Sequence, residues 1–286
     1  MIRRVLIVIV ALVLLGGAGF FVLGYWNARA DPVVRQVSIG VPGWPAGAAP
    51  VRIALMSDIH MESAAMDEGR LTRIVARVNA LHPDLLVLAG DFVEGRGVGE
   101  AERAIPLLER PLSRLRAPLG IVAVLGNHDH WTDPAPLAAM LRRIGVLVLV
   151  NGARERGPLA VGGLDDPATH RARIAPTHAA LARLQGAGVM VAHSPEIAPK
   201  LPPRTTLLLA GHTHCGQVVL PVIGAPVEVT SAHYRCGIVR DPRRITIVTA
   251  GLGTSELPIR YGAPPDLWVV RVGPIGASPR VSRSRP

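Results

Sequence analysis

From Val5 to Gly24 the chain carries no charged or strongly polar side chain; beyond it, apolar positions come as short runs separated by turns and amphipathic stretches. Twenty helical residues rise about 30 Å, the hydrocarbon thickness of a bilayer. Arg3 and Arg4 precede the run, and Tyr25-Trp26 follow it where an interfacial anchor sits. A cleaved secretory signal is the competing reading, because Ala28-Arg29-Ala30 has the small-x-small form of a cleavage site. The run exceeds the roughly 7–15 residues of a signal core, so residues 1–30 are expected to form a single membrane anchor. Arg3, Arg4 and the terminal amine face Arg29 and Arg35 across the span, a slight excess that favours the N-terminus in the cytoplasm and the body outside. That excess is too small to decide the face on which the body lies.

Between Val51 and Val272 the apolar runs are Ile53–Met56, Leu85–Ala89, Ile121–Leu125, Val189–Ala192, Leu207–Ala210 and Ile245–Ala250. Each is four to six residues, too short for a buried helix and suited to a strand covered on both faces. Leu71, Ile74, Val75, Val78 and Leu81 have the spacing of one helical face, with Arg70, Arg73 and Arg77 elsewhere and Asp67-Glu68 fitting the first turn. A second helix is expected from Asp133-Pro134, burying Leu137, Met140, Leu141 and Ile144 and stopping at Gly145. No internal repeat occurs, and the class is α/β. Residues 31–50 read as a linker with one short strand, Val33–Ile39, and residues 273–286 as a disordered tail.

Composition narrows this further. With 286 residues, 49% hydrophobic and 18% charged, the chain is neither an acidic disordered protein nor a collagen-like repeat. Its net charge of +10 comes almost wholly from arginine, Lys200 being the one lysine; this favours anionic partners such as phosphate groups or acidic lipid. Two cysteines, Cys215 and Cys236, cannot staple a fold of this size and read as buried free thiols, their pairing depending on the compartment.

Five of the six apolar runs lead directly into residues of metal-ligand or acid/base type: Asp58-x-His60, Gly90-Asp91, Gly126-Asn127-His128-Asp129, His193, and Gly211-His212-x-His214. The carboxyl ends of strands in an open α/β sheet line one crevice, so the five can converge. Carboxylate, imidazole and amide oxygen without obligatory thiolate suit Mn, Fe or Zn. On an extended segment Asp-x-His places both side chains alike, and Asp91, with two oxygens, can bridge two cations about 3.5–4 Å apart.

In order and spacing these motifs resemble the calcineurin-like metallophosphoesterases, across roughly Val51 to Val272. The resemblance implies a four-layer α/β/β/α sandwich around two packed sheets, with residues 51–272 as the catalytic domain. It implies that Asp58, His60, Asp91 and His214 hold one metal and that Asp91, Asn127, His193 and His212 hold the second, Mn being favoured. His128 would be the acid or transition-state donor, with Asp129 orienting its ring, and a hydroxide shared by the metals would attack phosphorus in line. Further stretches, Gly126–Trp131, Ala192–Glu196, Gly211–Pro221, Gly251–Ser255 and Gly262–Pro265, are similar to a membrane-anchored bacterial branch. That branch includes UDP-2,3-diacylglucosamine pyrophosphatases of lipid A synthesis. It implies a lipid-linked phosphodiester or pyrophosphate as substrate, the bacterial inner membrane as location, and no nucleic-acid partner. Cys215 stands where the branch has glycine.

His130, Trp131 and Cys215 are candidates to line the substrate pocket, although Trp131 equally serves as lead-in to the next helix. His82, His170, His178 and His233 fall outside the motifs and read as surface or core residues. Gly251-x-Gly253 lacks the third glycine and helix of a nucleotide fingerprint, and no Gly-x-Ser-x-Gly elbow exists. An outward-facing phosphodiesterase, a nuclease and a non-catalytic metal-binding scaffold are the alternatives. The anchor and the lack of aromatic-interleaved basic patches disfavour the nuclease, and the complete ligand set disfavours the scaffold.

Overall fold

The computed structural model describes residues 1–97, 99–202 and 205–276. In chain order it contains α1 (Ile2–Arg29), β1 (Val33–Val41), β2 (Val51–Met56), α2 (Glu68–Ala80), β3 (Leu85–Leu88), α3 (Glu100–Leu112), β4 (Ile121–Ala123), α4 (Asn127–Thr132) and α5 (Pro134–Arg143). There follow β5 (Val146–Val148), β6 (Gly152–Arg156), β7 (Leu159–Gly163), α6 (Ile174–Ala182), β8 (Ala187–Val191), β9 (Leu207–Ala210), β10 (Gly237–Asp241), β11 (Arg244–Val248) and β12 (Asp266–Pro274).

The strands form two six-stranded sheets, in the orders β1-β12-β2-β3-β4-β5 and β10-β11-β9-β8-β7-β6. In the first, β2 through β5 are parallel and β12 runs antiparallel to β2; in the second, β7, β8, β9 and β11 are parallel. The side-chain period of two sorts each strand between faces. Ile53, Leu55, Leu85 and Val87 point into the core between the sheets, where they meet Val161, Val189, Val191, Leu207 and Leu209. Ala54, Met56, Leu86 and Leu88 point the other way, onto the apolar faces of α2, α3 and α5. The outer face of the second sheet is covered by α6 and the turn at Pro195–Lys200. The result is the four-layer sandwich, and burial on both faces explains why the central strands read as unbroken apolar runs.

Local chemistry sets the helix starts. Asp67 accepts the Arg70 N–H at 2.7 Å to cap α2, and Asp133 caps α5 through Ala135 N–H with Pro134 in the first turn. Helix α3 was not anticipated, because Pro106 and Pro111 lie within it; its buried stripe of Ala101, Ala104, Leu108 and Leu112 holds it against the sheet. The segment read as a linker contains the nine-residue β1, which pairs along its length with β12. The expected tail starts inside β12 at Gly273-Pro274, and residues 277–286 lie outside the described residues.

Helix α1 is long and apolar enough to be a candidate membrane span. Its last turns are fastened to the body. Gly24 and Ala28 are buried, Gly24 O accepts the Arg260 N–H at 2.9 Å, and Asn27 donates to Arg260 O at 3.2 Å. Phe20 stacks on Tyr261 at 4.1 Å, the Tyr261 hydroxyl donates to Phe20 O, and Arg29 pairs with Asp67.

Candidate metal centre

The predicted residues converge at one edge of the sandwich. Asp58 and His60 follow β2, Asp91 follows β3, Asn127 and His128 open α4 after β4, His193 follows β8, and His212 and His214 follow β9. Backbone bonds lace these loops together: Asp58 N–H donates to Gly90 O, His60 N–H to Asp91 O, and Gly211 N–H to His193 O. The His193 ring crosses between the sheets, its Nδ1 donating to Ala89 O at 2.7 Å.

Among the described residues, three groups of donors have their ligand atoms within 4.8 Å of one another. The expected ligands meet in two of them, Asp58, His60 and His214 in the first and Asp91, His193 and His212 in the second; the third joins His60 with Glu94 and His128. In the first, His60 Nε2 and His214 Nε2 approach to 3.1 Å, and Asp58 Oδ1 lies 3.5 Å from His214 Nε2. In the second, His193 Nε2 lies 3.2 Å from His212 Nδ1 and 3.1 Å from Asn127 Oδ1. Asp91 Oδ2 stands between the groups, 3.2 Å from His193 Nε2 and 3.5 Å from His60 Nε2. Imidazole nitrogens facing each other in two pairs, with carboxylate oxygens beside them, are a donor set that fits divalent cations and little else. The outer nitrogens face acceptors: His193 Nδ1 donates to Ala89 O, and His60 Nδ1 stands 2.6 Å from the Glu94 carboxylate, which leaves each Nε2 facing inward.

The sequence placed Asp58 and His60 on an extended segment. Instead five of the candidate ligands have left-handed backbone, with φ of 53° at Asp58, 47° at His60, 54° at Asp91, 71° at His212 and 49° at His214. These conformations are costly for non-glycine residues and persist because the surrounding bonds over-determine them. Two glycines make room. A Cβ on Gly126 would lie 2.2 Å from Asp91 Oδ1, and one on Gly90, whose φ is +93°, would lie 2.6 Å from Gly126 N.

Burial governs the electrostatics. It pushes the Asp58 carboxyl above the usual range, reinforced by Asp91. Burial also opposes ionisation of Asp91, but His193 and His60 outweigh it and hold that carboxylate low. For His193 and His60 burial disfavours the cation, and the neighbouring carboxylates overcome it: Asp91 first for His193, Glu94 and Asp91 for His60. Burial, then His193, lowers His212 to about 3; burial, His60 and Arg260 hold His214 well below the ordinary value. His212 and His214 are thus kept in the neutral, ligating form.

His128 flanks the first group, its ring 4.7 Å from that of His60. The expectation that Asp129 orients this ring is corrected. Asp129 spends its carboxylate on the N–H groups of Asp91, Phe92 and Gly126, at 3.0, 2.8 and 2.9 Å, and so clamps two strand-end loops together. Burial and Asp91 push its pKa up to about 7. The His128 ring is held by Glu94 O at 2.7 Å from Nδ1, with Ser255 Oγ 3.4 Å from Nε2. Glu94 therefore serves two histidines and was missed; its place three residues after Asp91 was the available signal. The His128 backbone N–H also fixes Asp91 Oδ1 at 2.9 Å.

Of the pocket candidates, Trp131 packs on the His128 ring at 4.7 Å and carries the Arg96 guanidinium on its face at 5.1 Å, at the rim of the centre. His130 turns away to Asp165, 2.7 Å distant. Cys215 offers no thiol: it forms a disulfide with Cys236, contrary to the free-thiol expectation, and is buried beside Ala250 and Ala263. The pairing was missed because 21 residues separate the cysteines and only the fold brings their Cα atoms to 4.7 Å.

Comparison with known protein families matches residues 51–216 to the Calcineurin-like phosphoesterase family. The chain is 30% identical over 261 residues to a Danio rerio protein named "Transmembrane protein with metallophosphoesterase domain", covering 85% of this chain and 57% of that one. It is 29% identical over 230 residues to F40B5.2 of Caenorhabditis elegans, covering 73% of this chain and 46% of that one. It is 29% identical over 236 residues to "Uncharacterized metallophosphoesterase YkuE" of Bacillus subtilis, covering 79% and 80%. The chain spans about half the length of the two animal relatives. With the match covering more than half of its residues, the chain belongs to the calcineurin-like phosphoesterase family.

Proposed function

We propose that this centre hydrolyses a phosphodiester or pyrophosphate bond on a lipid-linked substrate, using two divalent cations. The observation that carries the reading is Asp91 Oδ2, within 3.5 Å of imidazole nitrogens from both donor groups, where one carboxylate can serve two cations. Asp58, His60, Asp91 and His214 would hold one, and Asp91, Asn127, His193 and His212 the other. When bound, the cations supply Lewis-acid charge for in-line hydrolysis at phosphorus. With Nδ1–H donating to Glu94 O, His128 presents Nε2 as the nitrogen that exchanges a proton with the leaving oxygen. Arg96, held over Trp131 and paired with Glu256, places a guanidinium at the rim.

The docking of α1 on the loop around Arg260 supports a substrate taken from the bilayer. The disulfide bears on the face of the membrane, because such bonds persist in oxidising compartments. Together with Arg3 and Arg4 before the span, it favours a body on the outer side of a bacterial inner membrane. On that face the substrate is a lipid phosphoester outside the cytoplasm. UDP-2,3-diacylglucosamine, made on the cytoplasmic side, is the reading carried by resemblance to the lipid A branch.

The test is the full chain, solubilised and supplied with Mn²⁺, assayed on an aryl phosphodiester beside UDP-2,3-diacylglucosamine, with His128→Ala as control. Turnover of the aryl diester that falls about 10²–10⁴-fold in His128→Ala, with metal content unchanged, is expected. Release of UMP from the sugar nucleotide, lost in the same variant, would return the body to the cytoplasm. Bound metal without either activity would overturn the proposal in favour of a scaffold.

A further inference from the structure

The segment after His214 is chemically unlike the rest of the surface. From Gln217 to Val227 it contains no charged residue. A tight turn, with Leu220 and Gly224 bonded to each other in both directions, presents Val222 and Ile223 fully to the outside. Val227, Val229 and Leu257 are exposed nearby. Solvent-facing apolar residues grouped in this way mark an interaction site and are not the scattered exposure of an ordinary surface.

Between these residues runs a groove of about 200 Å³, walled by Val218, Val227, Val229 and Leu257. Its inner end is formed by His214, a candidate ligand, and Ser255, which faces His128. Its outer wall is tied to the candidate membrane span: Val219 N–H donates to Tyr261 O, and the Tyr261 ring stacks on Phe20. The disulfide between Cys215 and Cys236 joins the two ends of the segment, which holds the groove open without regular secondary structure.

We propose that this groove is an acyl-chain subsite: it seats the hydrocarbon chain of a membrane lipid while the phosphoester of that lipid lies at the metal centre. The proposal rests on the phosphoesterase reading of the centre. The occupant is an acyl chain and not a peptide because the wall at Val218 is bridged to Tyr261, whose ring stacks on Phe20 inside the apolar run of α1. The apolar wall thus continues from the candidate span towards the centre, and the acidic residue of the lining, Glu256, is paired with Arg96.

Two measurements on the full chain test it. The first compares p-nitrophenyl methyl phosphate with p-nitrophenyl decyl phosphate below its micelle concentration. Each buried methylene is worth about fourfold, so kcat/KM for the decyl diester should exceed that for the methyl diester by more than about 50-fold. Val227→Asp and, separately, Leu257→Asp should erase most of that ratio and leave the methyl diester unchanged, which also shows that each variant is folded. The second measurement needs no catalysis. The chain is placed in nanodiscs of phosphatidylcholine bearing a diazirine at the acyl terminus, irradiated and mapped by mass spectrometry. Cross-links at Val218, Val227, Val229 or Leu257 are expected. Equal kcat/KM for the two diesters overturns the proposal, as do cross-links confined to α1, Val222 and Ile223. Groove cross-links in a protein that hydrolyses neither diester would sustain the subsite and sink the reaction proposed for the centre.

Discussion

The metal-ligand edge and the segment 217–229 lie side by side and are built on opposite principles. At the edge, most of the polar side chains are buried, several are aimed by a second bond, and left-handed backbone occurs beside two close-packed glycines and the Asp129 clamp. In the segment, apolar side chains are exposed and the backbone is pinned by a disulfide at its ends. Ligand atoms that must be fixed sit on loops anchored at strand ends, whereas the apolar segment relies on a covalent staple in place of paired strands.

Substitutions can separate the two. Asp91→Asn has the largest expected effect, since it strikes the residue shared by both donor groups. Metal content measured by mass spectrometry should fall at both positions and turnover should vanish, with the loop disulfide unaffected. Cys236→Ser should act on the other side of the comparison. Opening a loop of 21 residues costs about 3 kcal/mol, read as a lower Tm, while the metal content of the folded protein stays as it was. Glu94→Gln sharpens the picture of the edge. It keeps the size of the side chain but weakens its hold on His60, and metal affinity should fall about 10–100-fold, measured by titration with a competing chelator.

The smallest effect is expected at Asp67→Asn, remote from both regions. Asparagine still caps α2, so the loss is the Arg29 contact and is under about 1 kcal/mol. The Arg29 side chain and the Arg70 N–H lower the Asp67 pKa, so this stabilisation is present above the ordinary carboxylate pKa. It is lost as pH falls through the lower folded value. Acid unfolding followed by circular dichroism should therefore show wild type and variant converging at low pH.

The candidate ligands could be read from the sequence because residues of ligand type fall directly after strands, and parallel strands bring their carboxyl ends together. The way those ligands are held could not. Left-handed φ at Asp58 and His60 is only weakly written in residue type: Asp and His are enriched there, but the same types also mark ligands on extended segments. Asp129 lies beside His128 in the chain, which made it a plausible partner for that ring, but α4 turns the carboxylate back onto the loop after β3. The strand expected at Val33–Ile39 is β1, but β1 and β12 are far apart in sequence, so their pairing was hidden. In α3 the packing of an apolar stripe outweighed the two prolines that argued against a helix.

Arg260 is one residue with two attachments. Its backbone N–H and carbonyl are bonded to the end of α1, and its buried guanidinium donates to the carbonyls of Ala250, Gly253 and Ala263 beneath His214. No hinge lies between helix and metal centre at this point. In a bilayer, a change of thickness that tilted α1 would pull on the floor of the centre itself, making the mechanical state of the membrane an input to the geometry of His214.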